Sequence, residues 1–133
     1  MLKLNSILFV DDDETTSTYQ SFVASQSGYF NDVVVMNTGE EALVYLSGFV
    51  GKGTPAPEVI FVDLNMPGMD GWEFCERFET IRHQLSNDPC LIILSTANPE
   101  DHAEKVEEVP CIHGFRQKPL THDILDEIVG SMA

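Results

Sequence analysis

Three short runs of apolar residues stand out along the chain, and each ends abruptly in polar residues. They read ILFV at 7–10, VIFV at 59–62 and LIIL at 91–94. Uninterrupted runs of this length, rich in β-branched residues, are typical of strands that are covered on both faces, as in a parallel sheet. The run VVVM at 33–36 indicates a weaker fourth strand, and GFRQ at 114–117 is assigned as a fifth mainly from its position.

The segments between these runs carry the apolar spacing of amphipathic helices. The first helix is predicted to end near Gly28, whereas Thr38, Asn98 and Thr121 stand at N-cap positions of later helices. The third helix is predicted to be long. The predicted inward positions are Tyr19, Phe22 and Val23 in the first helix, Ala42, Leu43 and Leu46 in the second, Phe74, Cys75, Phe78, Ile81 and Leu85 in the third, and Ile124, Leu125, Ile128 and Val129 in the last.

This alternation of strands and helices predicts an α/β fold, a (βα)5 doubly wound five-stranded parallel sheet with the flavodoxin-like order 2-1-3-4-5. Residues 1–133 are expected to form one domain with no effector domain. The Gly- and Pro-rich stretch 47–58 is a long connection within that domain, and the segment 99–113 has few apolar residues. The fourth helix is therefore expected to be short or mobile.

The net charge of the chain limits the kinds of partner that it is expected to bind. There are 22 Asp and Glu residues against 7 Lys and Arg residues, a net charge of −15. This argues against nucleic acid or an anionic membrane as a partner and fits a cation or a basic protein surface. Cys75, Cys90 and Cys111 show no metal-ligand spacing and are expected to be free thiols. With no leader-like or membrane-spanning segment, we expect a cytoplasmic protein.

Polar residues follow the predicted strands at the edge where such folds bind ligands. Asp11 and Asp12 follow the first strand, Asp63 the third, Thr96 the fourth and Lys118 the fifth. Oxygen ligands without His or Cys suit Mg²⁺. A carboxylate can accept a phosphoryl group, and ammonium and hydroxyl groups can hold its oxygens.

The motifs ILFVDDDE, VIFVDLNMPGMDGWEF, LIILSTAN and GFRQKPL, in this order, resemble the CheY-like receiver domain of two-component response regulators. The resemblance covers essentially the whole chain, and DLNMPGMDG is its most specific part. It implies a single-domain phosphorelay signalling protein, not an enzyme beyond catalysing its own phosphorylation and dephosphorylation. The phosphoryl donor would be a sensor histidine kinase or a phosphotransfer protein, with Mg²⁺ as cofactor.

Residue by residue, the resemblance implies that Asp63 is the phosphoacceptor. Asp12 would bind Mg²⁺ directly, Asp11 often through water, and Asn65 through its backbone carbonyl, with Asp63 completing the set. The family's lifetime-tuning positions are Asn65 and Asn98.

The remaining implied roles concern phosphate binding and switching. Thr96, Ala97 and Lys118 would bind the phosphoryl group, and Thr96 is favoured over Ser95 because it directly precedes Ala97. Thr96 and Phe115 would form the switch that changes the face made by the fourth helix, fifth strand and fifth helix, for an output partner or a homodimer. Phe115 replaces the commoner tyrosine. The structural positions near the site are Pro67, Gly71 and Pro119, the last usually preceded by a cis bond.

Two other functions compete with this interpretation. DDDET at 11–15 fits the DxDxT motif of haloacid-dehalogenase-type phosphatases, with Asp11 as nucleophile and Asp13 as acid/base. Against it, no acidic metal pair follows Lys118 at a further strand end, and the chain lacks room for a cap domain. The other candidate is a phosphorylation-independent pseudo-receiver, a docking module. Such proteins typically lose an acidic residue or the lysine, and all are present here.

Overall fold

The structure, a computed structural model, describes residues 3–132. Five parallel strands form one sheet in the order β2-β1-β3-β4-β5, which confirms the predicted doubly wound topology. The strands are β1 (Leu4–Val10), β2 (Phe30–Met36), β3 (Val59–Val62), β4 (Cys90–Ser95) and β5 (Ile112–Gln117).

The three central strands are buried on both faces, as their apolar runs predict. Because side chains alternate along a strand, Leu8 and Ile60 face one core and Phe9 and Phe61 the other. The rings of Phe9 and Phe61 stack with centroids 5.5 Å apart, in register across β1 and β3. Apolar burial on two sides leaves polar side chains only at the strand ends.

Five α-helices cover the sheet, namely α1 (Glu14–Ser27), α2 (Gly39–Ser47), α3 (Gly71–Glu79), α4 (Ala103–Glu108) and α5 (His122–Ser131). Short 3-10 segments lie at Arg82–Gln84 and Pro99–His102. Three predicted N-caps are confirmed, because the side chains of Thr38, Asn98 and Thr121 accept backbone N–H groups at 3.1 Å. Gly28 ends α1 with φ 74°, a left-handed conformation that glycine adopts readily.

The inward face predicted for α1 is wrong in part. Val23 is buried, but Phe22 is 59% exposed and Tyr19 is 45% exposed. The Tyr19 hydroxyl donates to the Leu120 carbonyl at 2.9 Å, so this ring spans the surface between α1 and the loop before α5. The buried face of α1 is instead made of small or polar residues with Val23, namely Ser17, Gln20, Val23 and Ala24.

The predicted long third helix is also wrong, because α3 ends at Glu79. The backbone N–H and hydroxyl of Thr80 both donate to the Arg77 carbonyl, at 3.1 and 2.6 Å, which tightens the chain into the following 3-10 segment. Ile81 and Leu85 still pack against the core from beyond the helix.

The long connection before β3 is anchored at its end. Asn87 exchanges two hydrogen bonds of 2.9 Å with the backbone of buried Ala56. The Glu58 carboxylate accepts the N–H groups of Asn5 and Ser6 at 2.9 and 3.1 Å. These bonds fix the entry of the chain into β3, whose far end carries Asp63.

The fourth helix is short, as expected, with six residues and none buried. Over residues 3–132, no helix has both the length and the apolar character needed to span a membrane.

Candidate functional site

The polar residues after the strands are held in place by hydrogen bonds that extend the sheet. The Asp63 N–H donates to the Val10 carbonyl at 2.9 Å, and the Lys118 N–H donates to the Ser95 carbonyl at 2.7 Å. As a result the side chains of Asp11, Asp12 and Asp63 meet at the carboxyl edge, with one oxygen of each within 4.8 Å of the others. The sequence predicted this convergence from the reversal of strand order between β1 and β3.

Lys118 bridges two of these carboxylates. Its Nζ lies 2.7 Å from Asp11 Oδ2 and 3.3 Å from Asp63 Oδ1, and the lysine side chain is only 13% exposed. Burial by itself lowers the pKa of Lys118, but the hydrogen bonds and negative charges of Asp11 and Asp63 outweigh it and raise the pKa. The lysine is therefore a fixed positive charge inside an acidic cluster.

Asp11 and Asp12 differ in exposure and in their bonding. Asp11 is 2% exposed, and both of its carboxylate oxygens are engaged, Oδ1 by the Asp13 N–H at 2.9 Å and Oδ2 by Lys118. Its carbonyl also accepts the Ser17 hydroxyl at 3.3 Å. Asp12, in contrast, is exposed. This difference suits direct cation binding by Asp12 and contact through water by Asp11.

The carboxylate of Asp63 is partly buried beside both charges. Burial raises the pKa of Asp63, the positive charge of Lys118 lowers it, and the negative charge of Asp11 raises it again, with a net rise. The Asp63 side chain is 11% exposed, so its carboxylate remains accessible to solvent beside the two charges.

The loop between β3 and α3 explains the motif DLNMPGMDG. A Cβ at Gly71 would lie 2.6 Å from the Asp63 carbonyl oxygen and 2.9 Å from the Leu64 Cα, so only glycine fits against this backbone. Gly68 has φ 77°, and Asp70 accepts the Glu73 N–H at 2.9 Å as N-cap of α3. The loop residues Asn65 and Pro67 are exposed.

The ends of β4 and β5 place the candidate phosphate-binding groups. Ser95 is fully buried and its hydroxyl accepts the Ala97 N–H at 3.2 Å, whereas Thr96 is exposed. Of these two hydroxyl-bearing residues, Thr96 is therefore the one accessible at the edge of the sheet. Phe115 is half-buried. The Lys118–Pro119 peptide bond is cis.

Two further aromatic side chains lie near this site, and none of the sequence motifs assigns either of them a role in it. The His102 ring stacks on Phe115, and both rings lie beside Trp72. No spacing in the sequence signals this contact, because the three residues come from three separate segments.

The comparisons with known proteins agree with this geometry. Residues 7–129 match the response regulator receiver domain family. The chain belongs to the response regulator receiver domain family. Among solved structures, this receiver domain is similar to a two-component response regulator from Cytophaga hutchinsonii, with a TM-score of 0.86, 26% identity and coverage of 97% of this chain and 96% of the other.

A CheY-like receiver domain from Methylobacillus flagellatus has the same fold, with a TM-score of 0.81, 18% identity and coverage of 98% and 100% of the two chains. Among curated proteins, the alkaline phosphatase synthesis transcriptional regulatory protein PhoP of Bacillus subtilis is 35% identical over 95 residues, 71% of this chain. The sensor kinase/phosphatase CqsS of Vibrio cholerae, named for the CAI-1 autoinducer, is 25% identical over 119 residues, 90% of this chain. The aligned regions span only 34% and 16% of these two relatives.

The donor set of this receiver domain fits Mg²⁺. Three carboxylates share one small region with a single ammonium group, so the cluster carries an excess of negative charge made of oxygen ligands. Mg²⁺ in proteins binds one or two carboxylates directly and retains several waters. Here Asp12 is exposed, Asp63 is partly buried and Asp11 is buried, which suits a mixture of direct contacts and contacts through water.

Replacing Asp12 by Asn should separate metal binding from folding. Without metal, Asp12→Asn is expected to unfold at the wild-type temperature or above, because the change relieves repulsion among the acids. Mg²⁺ at tenfold its dissociation constant should stabilise the wild type by about 1.4 kcal/mol and the variant by much less. Thermal unfolding with and without Mg²⁺ measures both, with Asp32→Asn, an exposed acid on β2, as control. An equal Mg²⁺ shift in Asp12→Asn would remove Asp12 from the metal site.

Proposed function

We propose that this receiver domain is a phosphorelay response regulator that accepts a phosphoryl group on Asp63. The observation that carries the proposal is the Lys118 ammonium group, 3.3 Å from Asp63 and 2.7 Å from Asp11 at the edge of the sheet. The donor would be the phosphohistidine of a sensor histidine kinase or phosphotransfer protein, in the cytoplasm.

In the reaction, an Asp63 carboxylate oxygen attacks the donor phosphorus. The new O–P bond forms as the donor P–N bond breaks, and the imidazole leaves with the bonding electron pair and takes up a proton. Lys118 remains protonated and pairs with the phosphoryl oxygens, while the Thr96 hydroxyl and the Ala97 N–H donate to them. Water later cleaves the aspartyl phosphate and regenerates the carboxylate.

Asp11, Asp12, Asp63 and the Asn65 carbonyl would hold Mg²⁺ in this site. When bound, the cation would neutralise negative charge on the oxygens of the phosphoryl group during its transfer. Asp11 also orients Lys118 through their 2.7 Å contact. Asn65 and Asn98 stand at the positions that would set the phosphoryl lifetime.

The output of the domain would be a change in the face made by α4, β5 and α5. Thr96 would move toward the phosphoryl group, and Phe115 would follow into the space that it leaves. A partner protein or a second copy of the chain would bind this face, or the phosphoryl group would pass onward in a relay.

The phosphatase alternative is disfavoured by the position of Asp13. Its carboxylate accepts the Thr16 N–H at 3.2 Å and the Thr16 hydroxyl, as the N-cap of α1. These hydrogen bonds lower the pKa of Asp13. A general acid needs a raised pKa, so Asp13 is suited to capping the helix and unsuited to protonating a leaving group.

Intact-mass analysis after incubation with acetyl phosphate and Mg²⁺ tests the proposal. The wild type should gain one phosphoryl group, and the gain should be absent in EDTA and in Asp63→Asn. Asp70→Asn, an acid in the same loop, is the matched control and should still be labelled. Labelling of Asp63→Asn at the wild-type rate would contradict the assignment, and no labelling of the wild type by acetyl phosphate or a histidine kinase would favour a docking module.

A further inference from the structure

An aromatic stack lies on the α4 side of β5. The ring of His102 lies flat on Phe115, with centroids 5.5 Å apart and planes 14° apart. Trp72 closes the group, 5.6 Å from His102 and 6.5 Å from Phe115. The Lys105 ammonium group sits 5.2 Å from the centroid of the Trp72 ring, a cation–π contact.

This stack is a main attachment of the segment 99–108. Neither the 3-10 segment Pro99–His102 nor α4 has a buried residue. Besides the stack, Val106 is half-buried against the core. A helix with so few apolar contacts is weakly held, so a ring stack at its start has a large share in its position.

The three rings come from three of the segments that lie around the phosphoacceptor. Trp72 follows Gly71, whose N–H donates to the carbonyl of Leu64, the neighbour of Asp63, at 2.9 Å. His102 ends the 3-10 segment that begins shortly after Thr96, and Phe115 lies three residues before Lys118 on β5. The stack thus joins β5 to the segments that follow Asp63 and Thr96 in the chain.

We propose that His102 is a positioning residue that holds Phe115 against Trp72 in the resting arrangement, so that phosphorylation must break the stack. This inference rests on the proposed function. In the resting arrangement Thr96 is exposed and Phe115 is stacked. When Thr96 moves inward and Phe115 follows, the contact with His102 is lost and the segment 99–108 is released from α3.

The stack should affect the equilibrium between the resting and the activated arrangement. A contact that exists only in the resting arrangement stabilises that arrangement relative to the activated one. Removing the contact shifts the equilibrium toward the activated arrangement and so increases the affinity for any ligand that binds it. Aromatic stacking of this kind corresponds to roughly three- to tenfold in an equilibrium constant. Loss of the His102 ring should therefore tighten phosphoryl-analogue binding by that factor.

Beryllofluoride with Mg²⁺, a phosphoryl analogue, is the probe, and the single tryptophan of the chain, Trp72, is the reporter. His102→Ala is expected to lower the half-saturating concentration about three- to tenfold. His102→Phe keeps a flat ring and should stay within about twofold of wild type, as should His122→Ala, an exposed histidine at the start of α5. The initial rate of acetyl phosphate labelling, followed by intact mass, gives the same comparison without fluorescence.

The outcomes separate this inference from the proposed function. A wild type that neither binds beryllofluoride nor is labelled overturns the proposed function, and the inference with it. If the wild type responds to beryllofluoride, and His102→Ala is folded by circular dichroism but has unchanged or weaker affinity, only the inference is overturned. Equal tightening in His102→Phe and His102→Ala would also overturn it, because a flat ring would then not suffice to hold Phe115.

Discussion

Replacing Lys118 by Met is expected to lower both the stability and the reactivity of this receiver domain. Among the residues that the structure describes, Lys118 supplies the ammonium group that contacts the carboxylates of Asp11 and Asp63. Asp11 is only 2% exposed. Removing one partner of a buried ion pair leaves an uncompensated charge, so we expect a loss of about 3 kcal/mol in the free energy of unfolding without metal. Urea unfolding in EDTA measures this loss.

The same variant should be labelled by acetyl phosphate about a hundredfold more slowly, since a fixed charge aimed at the phosphoryl oxygens is lost. Mg²⁺ should stabilise Lys118→Met more than the wild type, because the three carboxylates then lack their ammonium partner. Lys52→Met, at an exposed loop position, is the matched control and should change neither property. Wild-type stability of Lys118→Met in EDTA would show that the ion pair has no net effect on folding.

Replacing Gly71 by Ala is expected to be costly despite its small size. The added Cβ would lie 2.6 Å from the Asp63 carbonyl oxygen and 2.9 Å from the Leu64 Cα, both backbone atoms that cannot turn away. The start of α3 must then move from the end of β3, at a cost of about 3 kcal/mol in the free energy of unfolding. Because the displaced loop carries Asp63 and Asn65, the labelling rate should fall as well.

Gly130→Ala provides the control for this prediction. Gly130 lies in α5, and apart from its chain neighbours and the backbone of its own helix no atom lies within 4 Å of the added Cβ. Alanine there should therefore stabilise the protein by about 0.5–1 kcal/mol through helix propensity. Urea unfolding of both variants compares the same chemical change in a crowded and an open place. A Gly71→Ala protein as stable as the wild type would mean that the loop relaxes without strain.

Much of the fold and the acidic cluster was predictable from local patterns. The runs at 7–10, 59–62 and 91–94 became the three central strands, because a strand buried on both faces must be apolar throughout. Once the order 2-1-3-4-5 is adopted, the residues after β1 and β3 must lie side by side. The meeting of Asp11, Asp12 and Asp63 follows from that order alone.

The two wrong predictions concern the direction and extent of helices. The spacing of Tyr19, Phe22 and Val23 fits a helix face, but spacing does not say which face meets the sheet. Tyr19 is drawn to the surface by its hydrogen bond to the Leu120 carbonyl, a residue about a hundred positions away in the chain. Similarly, Ile81 and Leu85 pack inward from the positions just before and just after the 3-10 segment Arg82–Gln84, and their spacing alone does not distinguish these positions from a continued helix.

The sequence by itself determined the N-caps, because these depend on side chains within a few positions of one another. It also determined the residues that gather at the sheet edge, because the alternation of strands and helices predicts the strand order and the end of each apolar run marks the edge. Only the tertiary structure decided how each acid is bonded, with Asp11 buried against Lys118 and Asp12 exposed. It also decided the stack of Trp72, His102 and Phe115. Contacts between distant segments depend on where the packed elements place each side chain, and no local pattern encodes that placement.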